Sequence, residues 1–229
     1  MRRLYIANKN YSSWSLRPWI LMKELGIAFE ERLVPFGSAD GAPAFSTFSP
    51  TGRVPCLIDE DLTVWDSMAI TEYLAEEHPR VWPAGKPGRA WARCAAAEMH
   101  SGFQIIRNAC PMNCGLRVKL FNWPGELLAE WKRVDALWCE GLRRFGGPFL
   151  GGAAFSAVDA YFAPVAFRVQ SYTPALSAGA QAYAERLLAL KYMREWYASA
   201  LTEKWRDAAH EAEIRAVGAW LQDLRTGGG

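Results

Sequence analysis

The sequence lacks the features that define several classes of protein. It has no apolar run long enough to cross a bilayer, and the apolar run near its start is too short for a secretory signal peptide. Its net charge is only +2 and it has no basic block, so nothing favours nucleic acid or an anionic membrane as a partner. We therefore expect a cytoplasmic protein that binds neither.

Cysteine is scarce and irregularly spaced. The five cysteines are Cys56, Cys94, Cys110, Cys114 and Cys139. An odd, scattered set is typical of reduced thiols and not of a disulfide framework. Cys110 and Cys114 are too few for a metal site and too far apart for a Cys-x-x-Cys redox pair, so we expect no metal centre.

What the sequence does contain is a globular composition that is rich in tryptophan. Hydrophobic residues make up 51% of the 229 residues and charged residues 22%, a balance that allows a sizeable core. Eleven residues are tryptophan. Most of them should lie in the core, but some are expected to line a pocket for apolar or aromatic ligands.

The first part of the chain alternates between strand and helix patterns. Residues 4–7 and 29–34 are predicted to be strands, with a helix over residues 15–25 between them. The segments VPCLID and LTVWD are predicted to form a hairpin joined at residues 59–61, followed by a helix over residues 67–78. The polar stretch before the hairpin has room for one short helix. The predicted order is βαβ, then ββα.

The second part of the chain has a helical pattern throughout. Residues 79–88, PRVWPAGKPG, are predicted to be a linker, and no convincing strand pattern follows them. The segments with helical length and patterning are residues 89–107, 126–145, 156–169, 180–190 and 193–219. The final TGGG is expected to fray. We therefore predict a small α/β domain at residues 1–79 and an all-helical domain at residues 89–229.

The turn between the first strand and the first helix, NKNYSSWSLRPW, is rich in hydroxyl groups. The first N–H groups of a helix have no partner within it, so they stabilise an anion such as a thiolate. A serine there can donate a hydrogen bond to the thiolate and lower the pKa of the thiol. Residues 8–19 contain no cysteine, so that thiol would belong to a ligand. The alternative is that Ser13 or Ser15 only caps the helix.

Two further segments of this domain have features of a binding site. In RVPCL, a cis Val54–Pro55 bond would leave the backbone of Val54 free to pair with an extended peptide, whereas a trans proline would be purely structural. In WDSMAI, Ser67 can receive a ligand carboxylate and Asp66 a ligand ammonium, or either residue can cap the helix. Together the segments describe a site for a charged, extended peptide that carries a thiol.

In this order, the segments resemble the thioredoxin-like domain of the cytosolic glutathione transferases. YSSWSLRPW is similar to the serine-type active-site motif of the zeta and tau classes, and a bacterial-type member is implied. RVPCLID resembles the cis-proline motif, and WDSMAITEYLAEEHP the γ-glutamyl-binding motif. In the helical half, FSAVDAYFAPV resembles the family's capping box, since Ser156 and Asp159 have the spacing of a reciprocal cap.

The resemblance implies that Ser12 stabilises the thiolate of bound glutathione. Ser13 is the alternative, because alignment with the theta-class motif shifts the position of the catalytic serine by one residue. Tyr11 can supply a competing hydroxyl, but we expect it to form an aromatic wall. Trp14 stands where the zeta class has cysteine, which argues against the isomerase reaction of that class.

The resemblance also assigns the parts of glutathione to particular residues. Val54, held by cis-Pro55, would pair with the cysteinyl part. Asp66 and Ser67 would hold the γ-glutamyl end, although Asp66 is one methylene shorter than the glutamate or glutamine usual in the family. Arg53 would either meet the glycyl carboxylate or remain a solvated charge.

The pocket for a second substrate is expected where the helical domain faces the serine turn. Its predicted wall is AEMHSGFQIIR, in which Met99, His100, Phe103 and Arg107 recur at helical spacing. A stripe of this kind can equally belong to the core. The other candidates are Tyr11, Trp14 and Tyr172.

The function implied by the resemblance is that of a glutathione transferase, a homodimer that uses glutathione as co-substrate in detoxification. Its thiolate would attack a small apolar or aromatic electrophile. A glutathione-dependent isomerase, dehalogenase or peroxidase of the same fold is an alternative. A thiol–disulfide oxidoreductase is disfavoured, because residues 8–19 have no cysteine to form the mixed disulfide. A non-enzymatic relative that binds glutathione or another ligand is the remaining alternative.

Overall fold

A computed structural model describes residues 1–37 and 43–226. The first part of the chain forms a four-stranded sheet. Its strands are β1 (Arg3–Ile6), β2 (Glu30–Leu33), β3 (Cys56–Asp59) and β4 (Leu62–Val64). They lie in the order β2-β1-β3-β4, with β1 parallel to β2 and the other two pairs antiparallel. The predicted strands and the hairpin are confirmed.

Helices α1 (Ser13–Leu25) and α2 (Ser67–Glu77) pack with this sheet. Helix α1 begins two residues before its predicted start at Ser15, so Pro18 lies in the second turn. Because proline has no backbone N–H, the carbonyl of Trp14 lacks its i→i−4 hydrogen bond. The helix ends at Gly26, whose φ of 71° is the left-handed conformation that glycine adopts readily. A short 3-10 helix at Phe45–Thr47 lies in the polar stretch, as predicted; residues 38–42 of that stretch lie outside the described residues.

The helical half of the protein is built around helix α6. Its helices are α3 (Lys86–Ser101), α4 (Gln104–Ala109), α5 (Gly125–Phe145), α6 (Ala157–Tyr172), α7 (Ala178–Ala189), α8 (Lys191–Thr202) and α9 (Ala208–Val217). Helix α6 is buried on nearly every face and packs against α1, α3 and α7. The predicted capping box at Ser156 and Asp159 is present. Helix α6 thereby joins the two halves through α1.

Two predicted boundaries in this half are wrong. Residues 89–107 form two helices, because the chain breaks at Gly102 and Phe103. Phe103 has a left-handed φ of 58°, and a Cβ at Gly102 would lie 2.8 Å from the carbonyl oxygen of Glu98. The predicted linker over residues 79–88 is shorter than expected, because α3 already begins at Lys86, with Pro87 in its first turn, where proline is tolerated.

The prediction that no strand follows residue 79 is also wrong. Strands β5 (Leu116–Leu120) and β6 (Gly218–Asp223) form a two-stranded antiparallel sheet. The predicted helix over residues 193–219 is therefore divided among α8, α9 and the start of β6. Gly218 permits the pairing, because a Cβ there would lie 2.7 Å from the carbonyl oxygen of Lys119.

The C-terminal segment is held against the rest of the protein as far as it is described. The N–H of Thr226 donates to the carbonyl of Leu201 at 2.8 Å. The other residues of the tail that was predicted to fray, 227–229, lie outside the described residues. In the described part of the chain, no helix is long and apolar enough to cross a membrane.

Candidate active site

Two adjoining cavities lie where the serine turn, the Val54–Pro55 loop and the start of α2 meet. The first cavity, of about 610 Å³, is lined by Trp14, Thr51, Arg53, Val54, Pro55, Trp65 and Asp66. The second cavity, of about 350 Å³, is lined by Tyr11, Ser12, Ser13, Trp14, Phe36, Phe45, Gly52, Arg53, Val54, Pro111, Met112, Arg168 and His210. They share Trp14, Arg53 and Val54, so they are two parts of one cleft. The Val54–Pro55 bond at its wall is cis.

The hydroxyls of the serine turn are not equivalent. Ser12 is the N-cap residue of α1, but its side chain caps no helical N–H. Its Oγ instead donates to Oγ of Ser15 at 2.7 Å, and Ser15 accepts the N–H of Ala7 at 3.3 Å. Within the described residues, the hydroxyl of Ser13 makes no hydrogen bond to protein. Ser13 therefore has a proton to donate into the second cavity without breaking an existing bond.

Asp66 caps α2 with one carboxylate oxygen and turns the other toward His100. Its Oδ1 accepts the N–H groups of Met68 and Ala69 at 2.8 and 3.4 Å, which caps α2. Its Oδ2 lies 3.3 Å from Nε2 of His100. Ser67 is fully buried at the start of α2 and lines neither cavity.

His100 and two arginines surround Trp14. The His100 ring packs edge to face on Trp14, with the centroids 5.2 Å apart. Burial lowers the pKa of His100, partly offset by the charge of Asp66. The guanidinium groups of Arg17 and Arg107 lie 4.2 and 4.7 Å from the centroid of the same tryptophan.

Arg17 is a buried cation to which the sequence assigned no role beyond its place in the serine motif. One of its nitrogens lies 3.5 Å from the carbonyl of Met99, while Nε and Nη1 are buried without a hydrogen-bond partner. Burial lowers the pKa of Arg17 to about 9, since the charged form is poorly solvated.

Most of the predicted wall of the second-substrate pocket lies elsewhere. Met99, Phe103 and Tyr172 are buried and line neither cavity. Phe103 is turned away by the break between α3 and α4, and the hydroxyl of Tyr172 donates to the carbonyl of Pro111 at 2.8 Å. Arg107 donates to the carbonyls of Met99 and Gly102 and also lines neither cavity.

The helical side of the second cavity is formed instead by residues that the sequence analysis missed. They are Pro111, Met112, Arg168 and His210, with Phe36 and Phe45 on the other side. One signal was available: Arg168 interrupts APVAFRV, an otherwise apolar helix. A charged residue inside such a helix needs a polar surrounding, which a cavity can provide.

Tyr11 lines the second cavity with its ring, but its hydroxyl is engaged elsewhere. The hydroxyl donates to Oε1 of Glu211 at 2.9 Å and accepts from Arg225 at 3.2 Å. Burial raises the pKa of Tyr11 well above its ordinary value. This phenol is therefore not poised to supply a proton or a charge to a ligand.

The cysteines lie apart from the cleft. None is paired in a disulfide, and none lines either cavity. Burial raises the pKa of the Cys110 thiol to about 12, so at neutral pH this thiol is protonated. In residues 1–37 and 43–226, no group of three or more histidine, cysteine, aspartate or glutamate side chains is placed to hold a metal ion.

Comparison with known proteins shows which families this chain resembles. Residues 11–77 match the family described as the glutathione S-transferase N-terminal domain. The chain is 28% identical to a maleylacetoacetate isomerase of Pseudomonas aeruginosa, over 77% of this chain and 85% of that protein. It is 25% identical to the glutathione S-transferase-like protein OpS6 of Beauveria bassiana, over 75% of this chain and 81% of that protein.

Solved structures agree on the fold. A glutathione transferase homologue from Burkholderia, crystallised with bound glutathione, superposes with a TM-score of 0.66 at 23% identity, over 87% of this chain and 97% of that one. The protein therefore has the glutathione transferase fold, a thioredoxin-like sheet domain followed by a helical domain, as predicted. The family match covers residues 11–77, and the shared fold extends over most of the chain.

Proposed function

We propose that this protein is a serine-type glutathione transferase, resembling the zeta and tau classes. It binds glutathione in the cleft and activates its thiol for attack on an apolar or aromatic electrophile in the second cavity. The observation that carries the proposal is that Ser12 and Ser13, at the start of α1, line the same cleft as the backbone of Val54 and the carboxylate of Asp66. These groups complement, in order, a thiolate, a peptide backbone and an ammonium group.

The charges of the cleft suit an extended glutathione molecule. Oδ2 of Asp66, which does not cap α2, is the acceptor for the γ-glutamyl ammonium. The γ-glutamyl carboxylate would lie at the positive end of α2, although the side chain of Ser67 is buried there and would become accessible only if the start of α2 shifted on binding. Val54 would pair with the cysteinyl backbone, and Arg53, which lines both cavities, would meet the glycyl carboxylate.

Thiolate activation is assigned to the serine turn. A free thiol has a pKa of about 8.5, so only a few per cent is ionised at neutral pH. A hydroxyl donor at the positive end of α1 favours the thiolate. Ser13 has an uncommitted proton, whereas Ser12 would first have to release Ser15. The sulfur then attacks the electrophilic carbon, a C–S bond forms, and a leaving group departs with the bonding electron pair.

The proposal is tested by titrating the thiol of bound glutathione. The absorbance of the thiolate is followed against pH in the wild type and in the single variants Ser12→Ala, Ser13→Ala and Ser15→Ala. We expect the wild type to lower the pKa of the thiol by about one unit or more. Return of that pKa to its free value in Ser12→Ala or Ser13→Ala identifies the donor. Ser15→Ala tests the effect of freeing the Ser12 hydroxyl, and Ser199→Ala, on α8 and outside both cavities, is the control. An unshifted thiol, or no binding of glutathione, would refute the transferase function.

A glutathione-dependent isomerase is the second candidate, because the isomerase of P. aeruginosa matches most of this chain. Trp14, in place of the zeta-class cysteine, argues against it. The two reactions differ in stoichiometry: a transferase consumes one glutathione per turnover and an isomerase consumes none. A dehalogenase releases halide, and a peroxidase converts glutathione to its disulfide. Measuring both the loss of free thiol and the formation of product in the same assay distinguishes these reactions.

We further propose that residues 1–79 form the glutathione-binding domain and that the helical domain covers the second substrate. The protein would act as a cytoplasmic homodimer in detoxification. Leu62, on β4, and Trp65, which lines the first cavity, have relative exposures of 55% and 42%, which favours their burial against a second copy. Sedimentation equilibrium gives the oligomeric state; a monomer at all concentrations would refute this part.

A further inference from the structure

Arg168 is a buried cation that lines the second cavity. It lies on helix α6 with a relative exposure of only 3%. Its Nε donates to the carbonyl of Cys110 at 2.9 Å, and its Nη1 lies 3.4 Å from the carbonyl of Pro164. Both partners are neutral, and none of the described residues gives Arg168 a carboxylate partner. A buried guanidinium without an anion is unfavourable unless some ligand supplies one.

The groups around Arg168 increase this excess of positive charge. Arg17 and Arg107 lie near it, and after burial itself the charges of Arg107 and Arg168 further lower the pKa of Arg17. Arg53 lines the same cavity. Among the described residues that line the second cavity, none is an aspartate or a glutamate. The field in the cavity therefore favours an anion.

Two of the described acidic groups, at the mouth of the second cavity, are engaged with other side chains. The carboxylate of Asp207 lies 2.8 Å from Nδ1 of His210, which is a lining residue. Glu211 accepts from the hydroxyl of Tyr11 and pairs with Arg225. Neither acid is a free counter-charge for Arg168.

Four aromatic side chains line the second cavity together with Arg168. The rings of Tyr11, Trp14, Phe36 and Phe45 line it, and its volume of about 350 Å³ suits a single-ring molecule. Flat apolar walls and one buried guanidinium describe a ligand with a planar body and one carboxylate. A guanidinium can bind a carboxylate through two parallel hydrogen bonds, which also fixes its orientation.

We propose that the second cavity selects electrophiles that carry a carboxylate on an aromatic body, and that Arg168 binds this carboxylate. The reaction of such an electrophile rests on the proposed function, because Ser12 and Ser13 line the same cavity. The binding of the acid does not depend on the proposed function. With 4-chloro-3,5-dinitrobenzoate, the glutathione sulfur bonds to the ring carbon and the C–Cl bond breaks. Chloride leaves with the electron pair, and the thiol proton passes to solvent.

The first test measures binding without glutathione. Calorimetric titrations compare 3,5-dinitrobenzoate, which has no leaving group, with its methyl ester. We expect the wild type to bind the acid at least about tenfold more tightly than the ester, as a charge-assisted hydrogen bond implies. Arg168→Gln should lose this preference while keeping its affinity for the ester, and Arg168→Lys should retain part of it. The control is Arg194→Gln, which removes an exposed arginine of α8.

Equal affinity for acid and ester in the wild type would overturn the inference, and so would a preference that survives in Arg168→Gln. If Arg168→Gln does not fold, Arg168→Lys decides the matter, with Arg53→Gln made alongside because Arg53 lines the same cavity: a preference lost only in Arg53→Gln would overturn the inference. Thermal unfolding and ester binding show whether each variant is folded.

The second test measures turnover. The ratio of kcat/KM for 4-chloro-3,5-dinitrobenzoate to that for its methyl ester, corrected for the uncatalysed reactions, should fall about tenfold or more in Arg168→Gln. An unchanged ratio would overturn the inference and leave the transferase function standing. If neither compound reacts and glutathione does not bind, the proposed function fails, while the binding test still decides the role of Arg168.

Discussion

His100 on helix α3 holds its Nε2 3.3 Å from Oδ2 of Asp66 at the start of α2. The helical half of the protein thus contacts the carboxylate that is proposed to bind the ammonium group of glutathione. The charge of Asp66 favours the protonated form of the imidazole, whereas the charges of Arg17 and Arg107 disfavour it. The ring of Tyr161 also lies near the imidazole. This contact links ligand binding to pH.

We expect glutathione to bind more weakly as the pH falls below 6.5, the ordinary pKa of histidine. Burial lowers the pKa of His100, so the ring is neutral at pH 7 and leaves the charge of Asp66 to the ligand. Below the lowered pKa, the imidazolium pairs with Asp66 and competes with the ammonium. The affinity for S-methylglutathione, which has no thiol to titrate, is measured between pH 5 and 8. His100→Gln should bind almost independently of pH over this range; parallel profiles would contradict the prediction.

Substitutions of Asp66 should separate its two roles. Asp66→Asn keeps a side-chain oxygen for the N–H of Met68, so the free energy of unfolding should change by only about 0.5 kcal/mol. Asp66→Ala also removes the cap and should destabilise the protein by about 1 kcal/mol. Both variants should lose glutathione affinity, because neither presents a negative charge to the ammonium. Urea unfolding and calorimetry give the two quantities; wild-type affinity in Asp66→Asn would count against the assigned contact.

Glu203, which follows α8, supports the strand end that leads into the serine turn. Its carboxylate accepts the N–H groups of Lys9 and Asn10 at 2.5 and 3.2 Å, and it is buried. Glu203→Ala leaves two buried donors unpaired and should destabilise the protein by about 2–4 kcal/mol, measured by urea unfolding. Glu203→Gln keeps one acceptor oxygen and should lose less of the free energy of unfolding. Equal stability of the alanine and glutamine variants would show that these bonds do not matter.

Asp159 anchors the start of helix α6. Its carboxylate accepts the N–H groups of Leu150 and Ser156 at 2.9 and 3.0 Å and the hydroxyl of Tyr183 at 2.8 Å. We expect Asp159→Ala to lower the free energy of unfolding by about 3 kcal/mol, because three buried donors lose their acceptor. Glu185→Ala, at a residue exposed on α7, is the control and should change it by less than about 0.5 kcal/mol. A loss of similar size in both variants would contradict the assignment.

The predictions that were confirmed concern local structure. The strands and helices of the first domain follow from hydrophobic periodicity and from stop signals such as Gly26, which act over a few residues. The capping box at Ser156 and Asp159 is likewise a relation between neighbouring residues. The order of the motifs around Ser12, Val54 and Asp66 was sufficient to predict the glutathione transferase fold.

The features that were missed depend on residues distant in the chain. LRVKL alternates like a strand, but its partner β6 lies about a hundred residues later in a segment with a helical pattern. The break at Phe103 requires a left-handed residue that the helical pattern conceals. Met99 and Tyr172 were expected at a ligand, yet packing against other elements buries them.

By itself, the sequence determined the order of elements, the hydroxyl-rich turn at the start of α1 and the acidic cap of α2, because each depends on neighbouring residues. Only the tertiary structure decided that His100 meets Asp66, that the hydroxyl of Tyr11 is taken by Glu211, and that Arg168 faces the second cavity. The physical reason is that a side chain's solvation and charge environment are set by every element packed around it. Those elements come from distant parts of the chain.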